Sequence, residues 1–346
     1  MAGRRASPVL WAMLDGAFTA AGAALPLVLL GALALDAVAG DPRWLWRRIP
    51  HPVALVGNLT GWLDRRLNRP QRGARTRFVR GLVVALLVAA LAWAAGQAIA
   101  RALQPFAWGW AVELLLVAVL VAQRGLFDHV AAVARPLAAG DLAAARAAVG
   151  RVVGRDPERL DGHAVARAAI ESTAENFADG VVAPALWYLV LGLPGLFVLK
   201  AVNTMDSMIG HRTERHAAFG AVAARLDDAA MFVPARLAAL LIVLAALFVP
   251  GGRPWTALRV WWRDGHRHRS PNAGRPEAAM AGAIGVALSG PRSYHGKATD
   301  EPWLGGEFSA RAGAGDIRRA LFVFVVACLV QAAAVAALAV LTYAPA

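Results

Sequence analysis

GLVVALLVAALAWAAGQAIA, residues 81–100, is a run without a single charged side chain. A helix of about 20 apolar residues crosses the hydrocarbon core of a bilayer, so this run predicts a transmembrane helix. Runs of the same character occupy 17–35 and 320–343, and a shorter one at 107–122 is expected to form a helical hairpin with 81–100. The chain is therefore predicted to be a polytopic integral membrane protein.

Two further apolar segments, 181–199 and 231–249, are interrupted. The turn GLPG at 192–195 breaks the first, and Pro234 and Arg236 shorten the second. Each is expected to be a tilted span, a re-entrant segment or a buried helix, because irregular backbone at membrane depth must be covered by protein or water. With no visible β pattern or repeat, the prediction is an all-α fold with about four to six transmembrane helices, in a single membrane domain covering 1–346.

The composition agrees with this class: 58% of residues are hydrophobic, the mean hydropathy is +0.50 and the net charge is +13. The positive-inside rule places three arginine-rich loops in the cytoplasm and both termini outside; the loops are 36–80, 123–180 and 250–319. Because membrane anchoring explains this charge, nucleic acid is not expected as a partner. The only cysteine, Cys328, excludes an intrachain disulfide and a cysteine-based metal site.

Helical spacing extends into the polar loops. Residues 131–169 are rich in alanine and arginine and predict two or three helices, with AAGD at 138–141 as a helix stop followed by an N-cap. Glu113 lies inside the apolar segment 107–122 and is expected to cap a helix or to snorkel towards an interface.

Acids, amides and arginines are dense between residues 174 and 236. Ionisable groups beside membrane segments are costly to desolvate, so they indicate a functional site, here one for an anionic substrate. Glu171 and Glu175 are four residues apart and share a helix face, and Asn176 and Asp179 follow in the next turn. Such a set suits Mg²⁺, which binds few carboxylates and keeps waters for substrate phosphates; the alternative is a solvated helix end.

A second group of acids follows the interrupted segment. Asn203 and Asp206 are three residues apart on one helix face and repeat the pattern of an amide beside an acid. Asp227 and Asp228 form a carboxylate pair that either binds a metal ion or neutralises neighbouring arginines. The candidate metal ligands are therefore Asp206, Asp227 and Asp228.

Several arginines and amides are candidates for substrate binding. Arg212, Arg215 and Arg236 offer forked donors that suit phosphate or carboxylate. Asn272 and Glu277 lie in a segment with two proline-bounded turns, where Asn272 is a plausible substrate contact. The basic run before this segment has an alternative interpretation as an anchor to anionic lipid.

Two residues near the N-terminal loop complete the set. Asp41 starts a turn after the first apolar run, and His51 precedes an amphipathic helix that ends in Trp62. An interfacial helix with a tryptophan anchor explains the tryptophans, but it leaves the acid and the histidine unexplained. For Asp41 and His51, the sequence supports a role in lining a site and a purely structural role equally.

The order of these motifs resembles the CobD/CbiB family of cobalamin biosynthesis, the adenosylcobinamide-phosphate synthases of the cytoplasmic membrane. The resemblance covers about residues 30 to 340. The matching segments are GDPRWL and HPV within 40–53, ENFADGVVAP at 175–184, AVNTMDSMIGHRTERHAAFG at 201–220, ARLDD at 224–228, VPARL at 233–237, SPNAGRPEAAMAGAIGV at 270–286 and PWLG at 302–305. The family often has Tyr or Phe near His211, which argues against a specific role for that histidine.

The resemblance implies an enzyme that joins aminopropanol, or its O-phosphate, to the propionate carboxylate of adenosylcobyric acid. A carboxylate does not condense with an amine unaided, so ATP activation with Mg²⁺ is the expected route, without a bound prosthetic group. The implied roles are metal binding or proton transfer for Glu175, Asp179, Asp206 and Asp227, a phosphate clamp for Arg212, Arg215 and Arg236, and contacts to amide-rich corrinoid edges for Asn203 and Asn272.

The resemblance also implies a multi-pass protein of the cell inner membrane, in contact with membrane lipid, with its active loops in the cytoplasm. Association with other enzymes of the cobalamin pathway is compatible with this location. The alternative is a corrinoid transporter, binding protein or scaffold without catalysis, since broken apolar segments with polar groups are also found in transporters. The sequence does not distinguish the free amino alcohol from its phosphate.

Overall fold

A computed structural model of the protein describes residues 25–40, 46–48, 50–151, 157–294 and 297–343. Thirteen helices lie in these ranges: α1 (Leu25–Ala39), α2 (Pro52–Leu67), α3 (Ala74–Leu103), α4 (Gly109–Leu120), α5 (Gln123–Ala138), α6 (Leu142–Val149), α7 (Gly162–Phe177), α8 (Ala183–Met205), α9 (Ala221–Ala230), α10 (Phe232–Ala245), α11 (Pro254–Asp264), α12 (Gly274–Ile284) and α13 (Ala314–Tyr343). Two π-helical turns, Ala178–Val182 and Asp206–Gly210, follow α7 and α8.

Strands are few and short. β1 (Leu288–Ser289) pairs antiparallel with β4 (Trp303–Leu304), and β2 (Arg292–Tyr294) pairs antiparallel with β3 (Lys297–Thr299). The predicted all-α class is confirmed, with these two small ladders as its only strands in the described ranges.

Within the described residues, four helical stretches are long and apolar enough to cross a membrane, and the bent pair Ala221–Ala230 and Phe232–Ala245 would add a fifth if it forms one span. The four stretches are Ala74–Leu103, Gly109–Ala138, Gly162–Gly210 and Ala314–Thr342. They contain the predicted spans 81–100 and nearly all of 107–122 and 320–343, together with the interrupted segment 181–199. The chain is a multi-pass membrane protein, as the apolar runs predicted.

The interrupted segments are helical with local breaks. Gly192, at φ 62° and ψ −154°, interrupts α8 where the turn GLPG was predicted. The segment 231–249 forms α10 after a bend that follows Ala230. Of the predicted span 17–35, only the part from Leu25 is described, as the start of α1; Asp41 lies outside the described residues.

The chain divides into two compact units. The first unit contains residues up to 121, 184–230 and the end of the chain from 334, so it holds α1–α4, α8 and α9. Val84 and Val88 of α3 pack in its core with Met205, Ile209 and Phe219. This packing holds the second π-helical turn against α3.

Glycine is required at position 220, because the backbone there lies directly against the backbone of Ile209 within this core. A Cβ atom at this position would overlap the carbonyl oxygen of Ile209, which is a backbone atom and cannot rotate away. We expect Gly220→Ala to destabilise the protein by about 1–3 kcal/mol, the usual effect of overpacking. The thermal midpoint of detergent-purified protein measures this effect. Gly73→Ala is the control, because no atom lies within 4 Å of a Cβ there; equal midpoints for the two variants would contradict the assignment.

The second unit contains residues 122–183 and 231–333, with α5–α7, α10–α12, the strands and most of α13. Asp141 caps α6 by accepting from the Ala144 amide at 2.9 Å, and α5 ends at Ala138. These features confirm the helix stop and N-cap predicted at 138–141. In the core of this unit, the rings of Phe177 and Phe324 meet edge to face at 5.6 Å between centroids.

Candidate functional site

The predicted site residues fall into two groups, one in each compact unit. The first unit holds His51, Asn203, Asp206, Arg212, Arg215, Asp227 and Asp228. The second unit holds Glu175, Asn176, Asp179, Arg236, Asn272 and Glu277. Each group has its own geometry.

Both π-helical turns coincide with predicted site segments. Asp179 lies in the turn that follows α7, and Asp206 is the first residue of the turn that follows α8. A π-helical turn is rare, and it occurs frequently at functional sites. Each of the two π-helical turns therefore carries one of the predicted catalytic acids.

Asn203 of α8 contacts Asp227 of α9 in the first unit. The Asn203 Nδ2 atom donates to Asp227 Oδ1 at 2.5 Å. The Oδ1 atom of Asn203 is buried and accepts no hydrogen bond from any described residue. Because buried acceptors are nearly always satisfied, this oxygen is a candidate contact for a cation or a ligand donor.

Asp206 lies close to the same group. Its half-buried carboxylate is within electrostatic range of Asp228 and of His211. A Cβ atom at Gly210 would overlap Asp206 Oδ1, so the carboxylate packs directly over this glycine. The structure thus gathers an amide oxygen and several carboxylates near the start of the turn.

Oxygens of this kind are suited to a magnesium ion that is shared with a substrate, and magnesium binding here remains a prediction. Among the described residues, no three His, Cys, Asp or Glu side chains are grouped closely enough to form a metal site by themselves. Mg²⁺ rarely uses such a cage; it binds through one or two carboxylates, waters and substrate phosphates. One or two of the carboxylates Asp206, Asp227 and Asp228, with the Oδ1 atom of Asn203, have the donor chemistry of such a partial site.

Arg215 is held by an acid that the sequence analysis did not select. Its Nε and Nη2 atoms donate to Asp64 Oδ2 of α2 at 3.1 and 2.6 Å. Asn68 donates to Asp64 Oδ1 at 2.7 Å, and His216 Nε2 lies 3.4 Å from the same oxygen. A further bond joins Asn68 Nδ2 to the Arg215 carbonyl oxygen at 3.0 Å. Asp64 therefore fixes the loop 211–220, in which Arg212 is exposed.

The environment of Asp64 favours its charged form. Burial by itself raises the pKa of this carboxyl, but hydrogen bonds from Asn68 and Arg215 and the charges of Arg215 and His216 lower it overall. No local pattern marks this residue, because it is 151 positions away from Arg215 in the sequence and lies beside two arginines at the end of an amphipathic helix.

His51 has a structural role in the first unit. Its Nδ1 atom accepts from the Val53 amide at 3.2 Å and caps α2. The imidazole also meets the Trp46 ring edge to face, with centroids 4.5 Å apart. The predicted amphipathic helix after His51 is present but extends beyond Trp62 to Leu67. A substrate contact for His51 remains a prediction.

Glu113 does not snorkel. It is buried in α4, and its Oε1 atom accepts from the Tyr188 hydroxyl at 2.8 Å. The Oε2 atom is buried without a hydrogen bond to any described residue. Tyr188 therefore gives Glu113 a polar partner inside the protein, whereas the sequence predicted a position at a helix end or at the membrane interface.

In the second unit, Arg236 of α10 contacts Asn272. Its Nη1 atom lies 3.4 Å from Asn272 Oδ1 and donates to the Phe232 carbonyl oxygen at 2.6 Å. The guanidinium is stacked on the Phe232 ring at 3.5 Å from the centroid. Arg275 is within electrostatic range of Arg236. Two neighbouring guanidinium groups beside a buried amide are suited to an anionic ligand.

Glu171, Glu175 and Asn176 of α7 differ in their burial and in their hydrogen bonds. Glu171 is buried, and its Oε1 atom accepts from the Ser289 amide at 2.7 Å. Glu175, one turn later, is exposed, while Asn176 donates to the carbonyl and hydroxyl oxygens of Ser172 at 2.9 Å each. The expected common face is therefore divided: Glu171 fixes β1, and Glu175 is accessible to a ligand.

A second buried acid, Asp264 at the end of α11, organises part of the basic run. Arg263 donates to both carboxylate oxygens at 2.8 and 2.7 Å and also reaches Glu307 at 2.6 Å. The Gly305 amide donates to Asp264 Oδ2 at 2.9 Å. Burial raises the pKa of Asp264, but the bonds from Arg263 and Gly305 and the charges of Arg263 and Arg267 lower it overall. Arg263 is thus tied to protein carboxylates.

This lowered pKa predicts an acid-sensitive fold. A group whose pKa is lowered by folding stabilises the protein at neutral pH, and its contribution is lost as the pH falls below about 4. We expect the thermal midpoint in detergent to fall steeply below that pH, and Asp264→Asn to lower the midpoint at pH 7 and flatten the fall. Asp128→Asn, which removes an exposed pair with Arg124, should change neither. An unchanged pH profile for Asp264→Asn would contradict this role.

Comparison with known proteins places the chain in a family. The family model described as CobD/Cbib protein matches residues 29–324. A protein of Sinorhizobium sp named "Cobalamin biosynthesis protein CobD" is 49% identical over 319 residues, covering 91% of this chain and 98% of the relative. Relatives of the same name are 50% identical in Rhizobium meliloti (strain 1021), over 90% of this chain and 96% of the relative, and 48% identical in Rhodobacter capsulatus, over 80% and 85%.

No solved structure matches the chain. The family match runs through both compact units and includes every described residue of the two site groups. The expected resemblance is therefore confirmed: the chain belongs to the CobD/Cbib protein family.

Proposed function

We propose that this protein acts in cobalamin biosynthesis by forming an amide bond between aminopropanol, or its O-phosphate, and the propionate carboxylate of adenosylcobyric acid. The contact between Asn203 and Asp227, with a buried amide oxygen left open beside a group of carboxylates, is the observation that supports the proposal best. It offers a place for a cation and phosphate groups in a family whose relatives are named for cobalamin biosynthesis.

The reaction needs an activated carboxylate. The substrate carboxylate oxygen attacks the γ-phosphorus of ATP, which gives an acyl phosphate and ADP. The amine then attacks the acyl carbon, inorganic phosphate leaves, and the nitrogen loses a proton. The sum is amine, carboxylate and ATP converted to amide, ADP and phosphate, in which positioning and charge neutralisation supply most of the catalysis.

The carboxylates of the first unit have the role of metal binding in this proposal. Asp206, Asp227 and Asp228 would hold Mg²⁺, which neutralises phosphate charge when bound. Asn203 orients Asp227 through its Nδ2 atom and presents its Oδ1 atom to a ligand donor. Arg212 is exposed in the loop that Asp64 holds, and in this proposal it binds a phosphate.

The second unit offers groups for an anion and for a proton. Arg236, stacked on Phe232 and beside Asn272, binds a phosphate or carboxylate, and Asn272 contacts an amide of the corrinoid. Glu175 is exposed and Asp179 is half-buried, so either can accept the proton released by the incoming ammonium. Glu277 is buried on α12, which packs against α7 and α10, so it supports the helices that carry these groups.

The test is a reaction of the detergent-purified protein with Mg²⁺-ATP, adenosylcobyric acid and aminopropanol phosphate, read by mass spectrometry. We expect amide and ADP in equal amounts, with free aminopropanol as a parallel substrate. Omission of ATP should leave no amide. Corrinoid binding without either product would reject the ligase and favour the transport or scaffold alternative, which vesicle uptake of the corrinoid would then distinguish.

A further inference from the structure

One short helix of the second unit presents two tryptophans to its surroundings. Trp255 and Trp262 of α11 are each 77% exposed. They are seven residues apart, so they lie on one face of the helix, and Arg259 lies between them on that face. Ala257 and Val260, on the opposite face, are fully buried. The outer face of α11 therefore combines large aromatic rings with a basic residue.

The inner face of α11 is fixed by its neighbours. Helices α10 and α12 pack against it. A Cβ atom at Gly282 of α12 would lie 2.6 Å from the Ala257 Cα atom, so the two backbones are in direct contact. At the end of α11, the buried Asp264 accepts from the Gly305 amide. These contacts set the orientation of the helix and keep both tryptophans on the outside.

Arg259 is the charge available on the outer face. It is exposed and forms no hydrogen bond or ion pair with any described residue. The basic run that follows α11 is less available, because Arg263 and Arg267 both lie within ion-pair distance of Asp264. Asp264 is also the only acid of α11, and it is buried. A face with two indoles, an unpaired guanidinium and no acid is complementary to a surface that is both apolar and rich in phosphate.

The sequence places α11 at the edge of the hydrocarbon layer. α10 belongs to the bent pair that would form a further span, and Leu240, Leu247 and Phe248 are exposed along it and just after it. Residues 237–252 include no charge, and the first charged side chain after them is Arg253, immediately before α11. A charge at this point marks the end of the apolar layer. With 11 residues and several charges, α11 is itself too short and too polar to cross a bilayer.

We propose that α11 is an interfacial helix that binds anionic phospholipid, with Trp255 and Trp262 at the boundary between headgroups and acyl chains and Arg259 on a lipid phosphate. Tryptophan is enriched at this level because its ring is apolar while its N–H seeks a hydrogen bond. The loop after α11 carries Asn272, so the helix connects the lipid surface to the candidate anion-binding group of this unit. The proposal does not depend on which reaction the protein catalyses.

The first experiment measures the depth of α11. The Cys328→Ala protein, which has no other cysteine, carries one environment-sensitive fluorophore on Trp255→Cys or Trp262→Cys and is placed in nanodiscs at one copy each. Phosphatidylcholine with a nitroxide on its headgroup should quench both labels at least about twofold more than one with a nitroxide near the end of the acyl chain, because interfacial side chains penetrate only about 5–10 Å. Arg159→Cys, an exposed polar position of the same unit, is the control and should be quenched by aqueous iodide instead.

The second experiment tests the phosphate contact. The label on Trp255→Cys reports binding while short-chain phosphatidylglycerol is titrated into the detergent-purified protein. Arg259→Met should weaken this binding about fivefold, the loss expected for one basic residue at an anionic surface, and Arg259→Lys should keep it. Arg159→Met, which removes an exposed arginine elsewhere in the same unit, should leave the binding unchanged. Size-exclusion profiles establish which variants are folded.

The proposal is overturned if iodide quenches the α11 labels as strongly as the Arg159→Cys label, since water would then cover this face. Strongest quenching by the nitroxide near the chain end would place α11 in the membrane core, and shielding from both iodide and lipid nitroxide would mean that the chain itself covers the tryptophans. Either result also rejects the interfacial position. Unchanged phosphatidylglycerol binding in Arg259→Met would reject the phosphate contact.

Discussion

Asp206→Asn is expected to reduce amide formation at least about 100-fold, because it removes charge from the candidate magnesium ligands. Asparagine has nearly the size of aspartate, so the side chain should still pack over Gly210 and the π-helical turn should persist. The variant no longer desolvates a charge, which is the largest influence on Asp206, and it loses both the attraction to His211 and the repulsion from Asp228, so we expect it to fold as the wild type does. The measurement is the rate of amide and ADP release over a series of Mg²⁺ concentrations.

Ser207→Ala is the matched control for this variant. Ser207 is exposed in the same turn and carries no charge, so its removal should leave the rate within about twofold of the wild type, as for most surface substitutions. A residual activity in Asp206→Asn that rises with Mg²⁺ concentration would support metal binding over proton transfer. Full activity of Asp206→Asn at every Mg²⁺ concentration would remove Asp206 from the mechanism.

Asp64→Ala is expected to have the largest effect on stability, about 3 kcal/mol, since it removes a buried acid and leaves its partners without their acceptor. Asp64 is only 8% exposed and accepts from both Arg215 and Asn68. Arg215 itself is half-exposed, so water can solvate it in the variant, which keeps the loss at the lower end for a buried pair. The thermal midpoint in detergent measures this loss.

The same variant should release the loop 211–220. Arg212 and Arg215 are exposed sites for trypsin, but cleavage requires the loop to leave the structure that Asp64 holds. We expect Asp64→Ala to be cut there at least about tenfold faster than the wild type, because proteolysis follows the population of the open form. Asp128→Ala, which breaks an exposed pair with Arg124, is the control and should be cut at the wild-type rate. Equal cleavage rates in all three proteins would show that Asp64 does not hold the loop.

Asp64 and Asp264 show why buried acids were harder to predict than the helices. Each lies beside arginines in the sequence, and an acid in that setting is expected to be an exposed residue that neutralises their charge. Their burial and their partners depend on residues far along the chain: Asp64 binds Arg215, and Asp264 accepts from the Gly305 amide. Glu171 has the same character, since its acceptor role for Ser289 is visible only after the strands are placed.

The sequence by itself determined the class of this protein, because a bilayer leaves few alternatives: a lipid-facing backbone must satisfy its hydrogen bonds within a helix, so long apolar runs report spans directly. It also located the break at Gly192, the cap at Asp141 and the two segments that carry the candidate acids. Tertiary structure alone decided which polar groups meet. The bonds of Asn203 to Asp227 and of Asp64 to Arg215 join different helices or loops. Hydropathy and residue spacing describe one segment at a time, so they do not report contacts between two segments.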